Sequence, residues 1–286
     1  MAIKTNSAGI ITHNIEAFSE RGRSFGLASL RGQPSGMRKG VVSSAPAFTN
    51  AKSARVNTQT LYISNSNADY IADNSTSWTW CGWFKSSVGN KYIGSIVSHG
   101  STYFPGTGTA RGVLFFIQNT NKVEVRFYRS GISYFYDGGA SVVWPLDAWF
   151  FLALSADYNT DKLIIYCNGN SKTLTVSSAI YPGISLSDSS RDLTYGGFDP
   201  NYSIHGINGN VDEPAIYGAA LSVAELDEIY NGGVPTDLSS LSTASNLKGW
   251  WRCGDDGSDT SSSFVAYAGP NNLTGQAGIT IVEDVP

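Results

Sequence analysis

The chain has 286 residues, of which 41% are hydrophobic, 12% aromatic and only 15% charged, with a formal net charge of −4. Low charge beside many Tyr, Trp, Phe, Ser, Thr and Gly suits half-buried strands and tight turns, and it excludes a helical bundle. The length fits one large β domain with appendages.

Residues 1–55 hold eight of the nineteen basic residues and two of the twenty-three acidic ones, a net +6 against −10 for the remainder. This stretch shows no sustained period of 2 or 3.6, and its large apolar residues are sparse. It cannot bury enough surface to offset its own ordering entropy, so it reads as an extended basic arm that becomes ordered against another subunit. Arg21, Arg23, Arg31, Arg38 and Lys39 are its expected anchoring residues. The first residues lack the apolar run of about 7–15 that a secretory signal needs. No stretch approaches the ~18 apolar residues of a membrane span. The sequence therefore predicts a protein with no membrane segment that is not exported by the usual route.

Strand patterns begin at residue 60 and recur to residue 217. They cover 60–64, 70–72, 78–85, 93–98, 113–118, 122–128, 149–155, 163–166, 173–176, 193–196 and 209–217. The run LFFIQ-NTNK-VEVRFY reads as a hairpin, because Asn-Thr-Asn supplies turn chemistry between alternating strands. Strands at about ten-residue spacing with almost no helix specify a sandwich or barrel. One helix interrupts them: Ser222 and Glu225 form a capping box, Leu226 and Ile229 give it an apolar face, and Asn231-Gly232-Gly233 stops it. The division expected is an arm over 1–55, a sandwich over 56–235, and a linker with a docking β segment over 236–286, which opens at Leu247-Lys-Gly-Trp-Trp-Arg252.

Three stretches in this order resemble the laminin-G and pentraxin-like group of the concanavalin-A-like superfamily. The first is TWCGWF, Thr79–Phe84. The second runs from Leu146-Asp-Ala-Trp149 to Lys162-Leu-Ile-Ile-Tyr-Cys-Asn-Gly169. The third is Gly206-Ile-Asn-Gly-Asn-Val-Asp212-Glu213-Pro-Ala-Ile-Tyr217 followed by the capped helix. The resemblance implies an all-β, concanavalin-A-like antiparallel β-sandwich, or jelly roll. The terminal Gly249-Trp-Trp-Arg-Cys-Gly-Asp255-Asp256 and the later Asn-Asn-Leu-Thr-Gly are similar to lamin-G-like proteins of marine tailed phages. That similarity implies a structural virion protein, assembled in the host cytoplasm and joined to other capsid or tail subunits through the arm.

Fold is not function, so the chemistry must come from side chains. Glycoside hydrolysis needs two carboxylates about 5–10 Å apart across a cleft. The hydrolases of this superfamily carry a strand motif of the E-x-D-x-x-E type, and no strand here has that spacing. Adjacent Asp212 and Glu213 are expected to face opposite sides of their strand. His13, His99 and His205 stand in no metal or nucleophile motif, and Cys81, Cys167 and Cys253 make no CxxC pair. The reading is of a protein that is not an enzyme and requires no cofactor. The resemblance allows a Ca²⁺ ion with Asp212 as a ligand, whereas the cysteine spacing does not suggest zinc. Tyr134, Phe135 and Tyr136 are read as loop aromatics available for stacking, and the loop FDPNYSIH from Phe198 brings aromatic, amide and carboxylate groups together, so Asp199, Asn201, Tyr202 and His205 are the expected contacts to a host glycan or partner. A homo-oligomer is expected; nucleic acid is not, because the arm's charges are not interleaved with aromatics. The competing reading is a carbohydrate-binding lectin module of a bacterial surface, with a glycoside hydrolase ranked behind it.

Overall fold

The computed structural model describes residues 48–58, 60–63, 76–98, 111–118, 122–129, 132–139, 142–176, 191–197 and 206–286, together with two short strands near the N-terminus. It divides into two units, Met1–Ala47 and Phe48–Pro286. In the first, Lys4–Thr5 (β1) and Ile11–Thr12 (β2) pair antiparallel.

The second unit is built from two antiparallel sheets. One carries Ser77–Ser86 (β5), Phe150–Asp157 (β10), Lys162–Cys167 (β11), Asn170–Thr175 (β12), Gly209–Tyr217 (β14), Leu247–Trp251 (β15) and Ala266–Ala268 (β17), in the order β12-β11-β10-β5-β14-β15-β17. Ser53–Arg55 (β3) joins it by pairing with β14, and Thr280–Val282 (β19) pairs with β3. The other sheet runs Ser263–Phe264 (β16), Leu273–Gly275 (β18), Leu61–Ile63 (β4), Arg191–Tyr195 (β13), Lys91–Ser98 (β6), Arg111–Ile117 (β7), Val123–Arg129 (β8) and Ile132–Asp137 (β9), in that spatial order.

Alternation along each strand makes the core. Trp78, Trp80 and Phe84 of β5 and Leu152 and Leu154 of β10 meet Val113, Phe115 and Ile117 of β7 and Val123, Val125 and Phe127 of β8 in one buried cluster. Trp80 ties the sheets together: its ring stacks on Tyr195 at 5.0 Å and Phe84 at 5.3 Å, and lies 4.3 Å from Phe115. A side chain at Gly94 would place its Cβ 2.4 Å from the Trp80 ring, so that position on β6 must be bare.

The residues of β5 that alternate with these point the other way and are also apolar. Cys81 and Trp83 join Phe151, Ala153, Tyr166, Ala215, Tyr217 and Trp250 in a second buried cluster. Val223–Tyr230 (α1) closes it with Leu226 and Ile229. The helix is held by the expected capping box of Ser222 and Glu225 and ended by Asn231 in the left-handed conformation. The Tyr166 hydroxyl donates to Asp227 at 2.6 Å, and Tyr230 stacks on Trp83 at 5.8 Å.

Two segments differ from the sequence reading. Residues 48–55 belong to the second unit rather than to an arm: Ala54 is fully buried in β3, which lies between β14 and β19. Its partners lie far along the sequence, so local periodicity carries no sign of it. Residues 134–136, read as loop aromatics, lie in β9. Residues 247–286 contribute strands to both sheets, through β15, β17 and β19 in one and β16 and β18 in the other. No helix among the described residues is long and apolar enough to cross a membrane.

Candidate functional site

The loop residues Asp199, Asn201, Tyr202 and His205, like Arg21, Arg23, Arg31, Arg38 and Lys39, lie outside the described residues. What the structure does present is the outward face of the eight-stranded sheet. In β8 the residues Val123, Val125 and Phe127 enter the core, so Glu124 and Arg126 project from the opposite face. Glu124 is 7% exposed, and its carboxylate accepts from both Arg126 Nε and Gln118 Nε2. Arg126 Nη1 also donates to the Tyr92 hydroxyl at 3.4 Å.

Two rings flank that guanidinium. Arg126 Cζ lies 5.9 Å from the Tyr92 ring centroid and 5.4 Å from that of Phe135. Register explains the grouping: Arg126 stands opposite Phe135 across β8 and β9, while Phe116 stands between Tyr92 and Glu124. Phe135 is 57% exposed, an unusual state for a phenyl ring on a folded surface. A held guanidinium, a held carboxylate, an amide and an exposed ring supply what sugar recognition uses: fixed donors and acceptors for hydroxyls, and a flat apolar surface for a pyranose face.

A second polar cluster sits at the bulge in β14. Pairing with β5 runs through Asp212 opposite Trp83, then resumes at Ala215 opposite Cys81. Glu213 takes a φ of +47° within the bulge, and Pro214 has no N–H for the ladder. Alternation is thereby broken, and Asp212 and Glu213 do not diverge as expected but enter one cluster. Glu213 pairs with Arg252 at 3.2 Å and accepts from Trp250 Nε1; Arg252 also reaches Asp255 at 3.2 Å. Asp212 accepts from Asn50 Nδ2 and from the Glu213 N–H, each at 2.9 Å.

Burial dominates the electrostatics of this cluster. It raises the Asp212 carboxyl well above the usual range, with the neighbouring Glu213 charge adding to the effect. It raises Glu213 to about 7, against the opposing pull of Arg252 and Trp250. Glu213 and Asp255 thus share the Arg252 guanidinium, while Asp212 is held by Asn50 and the Glu213 N–H. At Asp212 one oxygen accepts from Asn50 and the other from the Glu213 N–H, and among the described residues no three His, Cys, Asp or Glu side chains converge as metal ligands. Nor does the cluster resemble a hydrolytic pair, because Asp212 and Glu213 are 0% and 4% exposed and do not flank an open cleft. Its role is to fasten residues 49–51 to the sandwich, since Ala51 N donates to Asp255 and the Thr49 carbonyl accepts from Arg252.

Sequence reasoning passed over Glu124 and Arg126 and took Phe135 for a loop aromatic. The signal was present in VEVRF, where two opposite charges occupy the alternate positions of an otherwise apolar strand. Two antiparallel sheets face to face, one clad by a helix and the other carrying polar and aromatic groups outward, define a lectin-type β-sandwich. The model of the concanavalin A-like lectin/glucanases superfamily matches residues 52–227, and the chain belongs to that superfamily. Among solved structures, a Bacteroides ovatus protein described as carbohydrate-binding superposes with a TM-score of 0.55 at 16% identity, over 82% of this chain and 60% of its own. The heptameric SAP-like pentraxin of Limulus polyphemus gives 0.43 at 14% identity, over 84% and 90%. The CBM40 of the Ruminococcus gnavus IT-sialidase, bound to α2,3-sialyllactose, gives 0.43 at 18%, over 57% and 85%. At such identities the likeness is one of fold. No curated protein matches the sequence significantly.

Proposed function

We propose that the sandwich is a non-catalytic carbohydrate-binding module, with its ligand on the outward face of the eight-stranded sheet. The observation that carries this is the seating of Arg126 between the Tyr92 and Phe135 rings, beside the fixed Glu124 carboxylate. Stacking on an exposed ring contributes on the order of 1 kcal/mol, close to a tenfold change in affinity. A glycan-array screen followed by titration calorimetry tests the proposal. Phe135→Ala is expected to weaken the best ligand about tenfold, and unchanged affinity would defeat the assignment of this face.

The wider role proposed is that of a structural virion protein of a tailed phage, part of a homo-oligomer that displays the sandwich toward host glycans. Support comes from the positive charge concentrated in residues 1–55 and from the phage-like Gly249–Asp256 sequence. A basic arm suits acidic surfaces on neighbouring capsid or tail subunits. Particles assembled with a chain lacking residues 1–47 are expected to lose this protein; normal incorporation would remove the arm from the account.

A further inference from the structure

The carbohydrate-binding face raises the question of which sugars it takes, and its charge pairing carries an answer. Arg126 is the group on that face to which an acidic sugar would be drawn. Its Nε, however, is engaged by Glu124 Oε1 within the same strand, and Gln118 Nε2 holds the other carboxylate oxygen. Glu124 is nearly buried, and a carboxylate held by two donors with little solvent around it does not swing away at low cost. Asp137 stands opposite Glu124 in the β8/β9 register, its Oδ1 accepting from Gly139 N at 2.8 Å.

We propose that Glu124 is the specificity-determining residue of this face and sets it for uncharged sugars. The inference rests on the binding-face reading above. A sugar carboxylate near Arg126 would have to share the guanidinium with Glu124 at close range, where like charges repel strongly in a partly desolvated site. A neutral pyranose meets no such opposition. Its hydroxyls can accept from the Arg126 guanidinium, while its apolar face lies on Phe135.

The test uses the full chain and pairs of oligosaccharides that differ by one acidic residue, such as lactose and sialyllactose, titrated calorimetrically. Wild-type protein is expected to bind the neutral member at least about tenfold more tightly, with affinity unchanged between low and high salt. Glu124→Gln should bring the pair to near equality or reverse the order. A wild-type preference for the acidic member would overturn the inference, as would an unchanged ratio in a folded Glu124→Gln protein. Should that variant fail to fold, salt dependence in the wild type decides, because binding that exists only at low salt would also overturn it. Absence of any glycan binding by the wild type is a different outcome, in which the binding face itself is lost and the inference falls with it.

Discussion

The two sheets of this sandwich treat their outward faces in opposite ways. The nine-stranded sheet turns Cys81, Trp83, Phe151, Tyr166 and Tyr217 outward, and a helix with Leu226 and Ile229 covers them. The eight-stranded sheet turns Glu124 and Arg126 outward beside an exposed Phe135. The first sheet is apolar on both faces and serves as scaffold; the second is apolar on its core face, while its outward face carries the buried Glu124 beside the exposed Phe135. A fully covered sheet resists substitution everywhere; a half-covered one leaves a face on which side chains are free to specialise.

That contrast can be broken by experiment. The largest effect is expected at the clad face, where Leu226→Ala should cost about 2–5 kcal/mol in chemical denaturation. Phe135→Ala on the open face should cost less than about 0.5 kcal/mol. Equal losses at the two positions would erase the distinction.

A pH experiment sharpens the description of the bulge in the covered sheet. Glu213 is raised from 4.5 to about 7 in the folded protein by burial, against the pull of Arg252. The folded chain thus keeps a proton that the unfolded chain gives up, so this residue's contribution is greatest below pH 4.5 and is lost as pH rises through about 7. The melting temperature of Glu213→Gln relative to wild type should accordingly rise across that interval and level off above it. A flat difference would show that Arg252 holds the carboxylate ionised throughout. A smaller effect is expected from Tyr166→Phe, which removes the bond to Asp227 and should cost about 1 kcal/mol in a denaturant titration.

Much of the scaffold was legible in the sequence, because it follows local rules. The Ser222–Glu225 box and Asn231 mark both ends of the helix, and the alternation of Val123, Val125 and Phe127 marks the strand that carries Glu124 and Arg126. Ile132–Asp137 escaped because ISYFYD is aromatic without an apolar–polar rhythm, and its aromatics read as a loop. The Asp212–Pro214 bulge escaped because simple alternation sends adjacent carboxylates apart, whereas a positive φ at Glu213 draws both into one cluster. The candidate face was only half legible. Its charges could be read from one strand, but Tyr92 and Phe135 reach Arg126 through register with other strands, which depends on the whole sheet.

The strand β3 lies between β14 and β19, and Ser53 Oγ donates to the carbonyl of Asp284, 231 residues further along the chain. Lys85 and Trp149 also bond to the Asp284 carboxylate, so one late residue gathers three early segments. Contacts of such sequence separation are slow to find, because the intervening loop must close before they yield any stabilisation. On the ribosome the first strand of the sandwich emerges long before its last partner exists. Its backbone must wait, unpaired on one side, until Thr280–Val282 arrive, and a nascent chain that has not yet reached them is therefore vulnerable to aggregation.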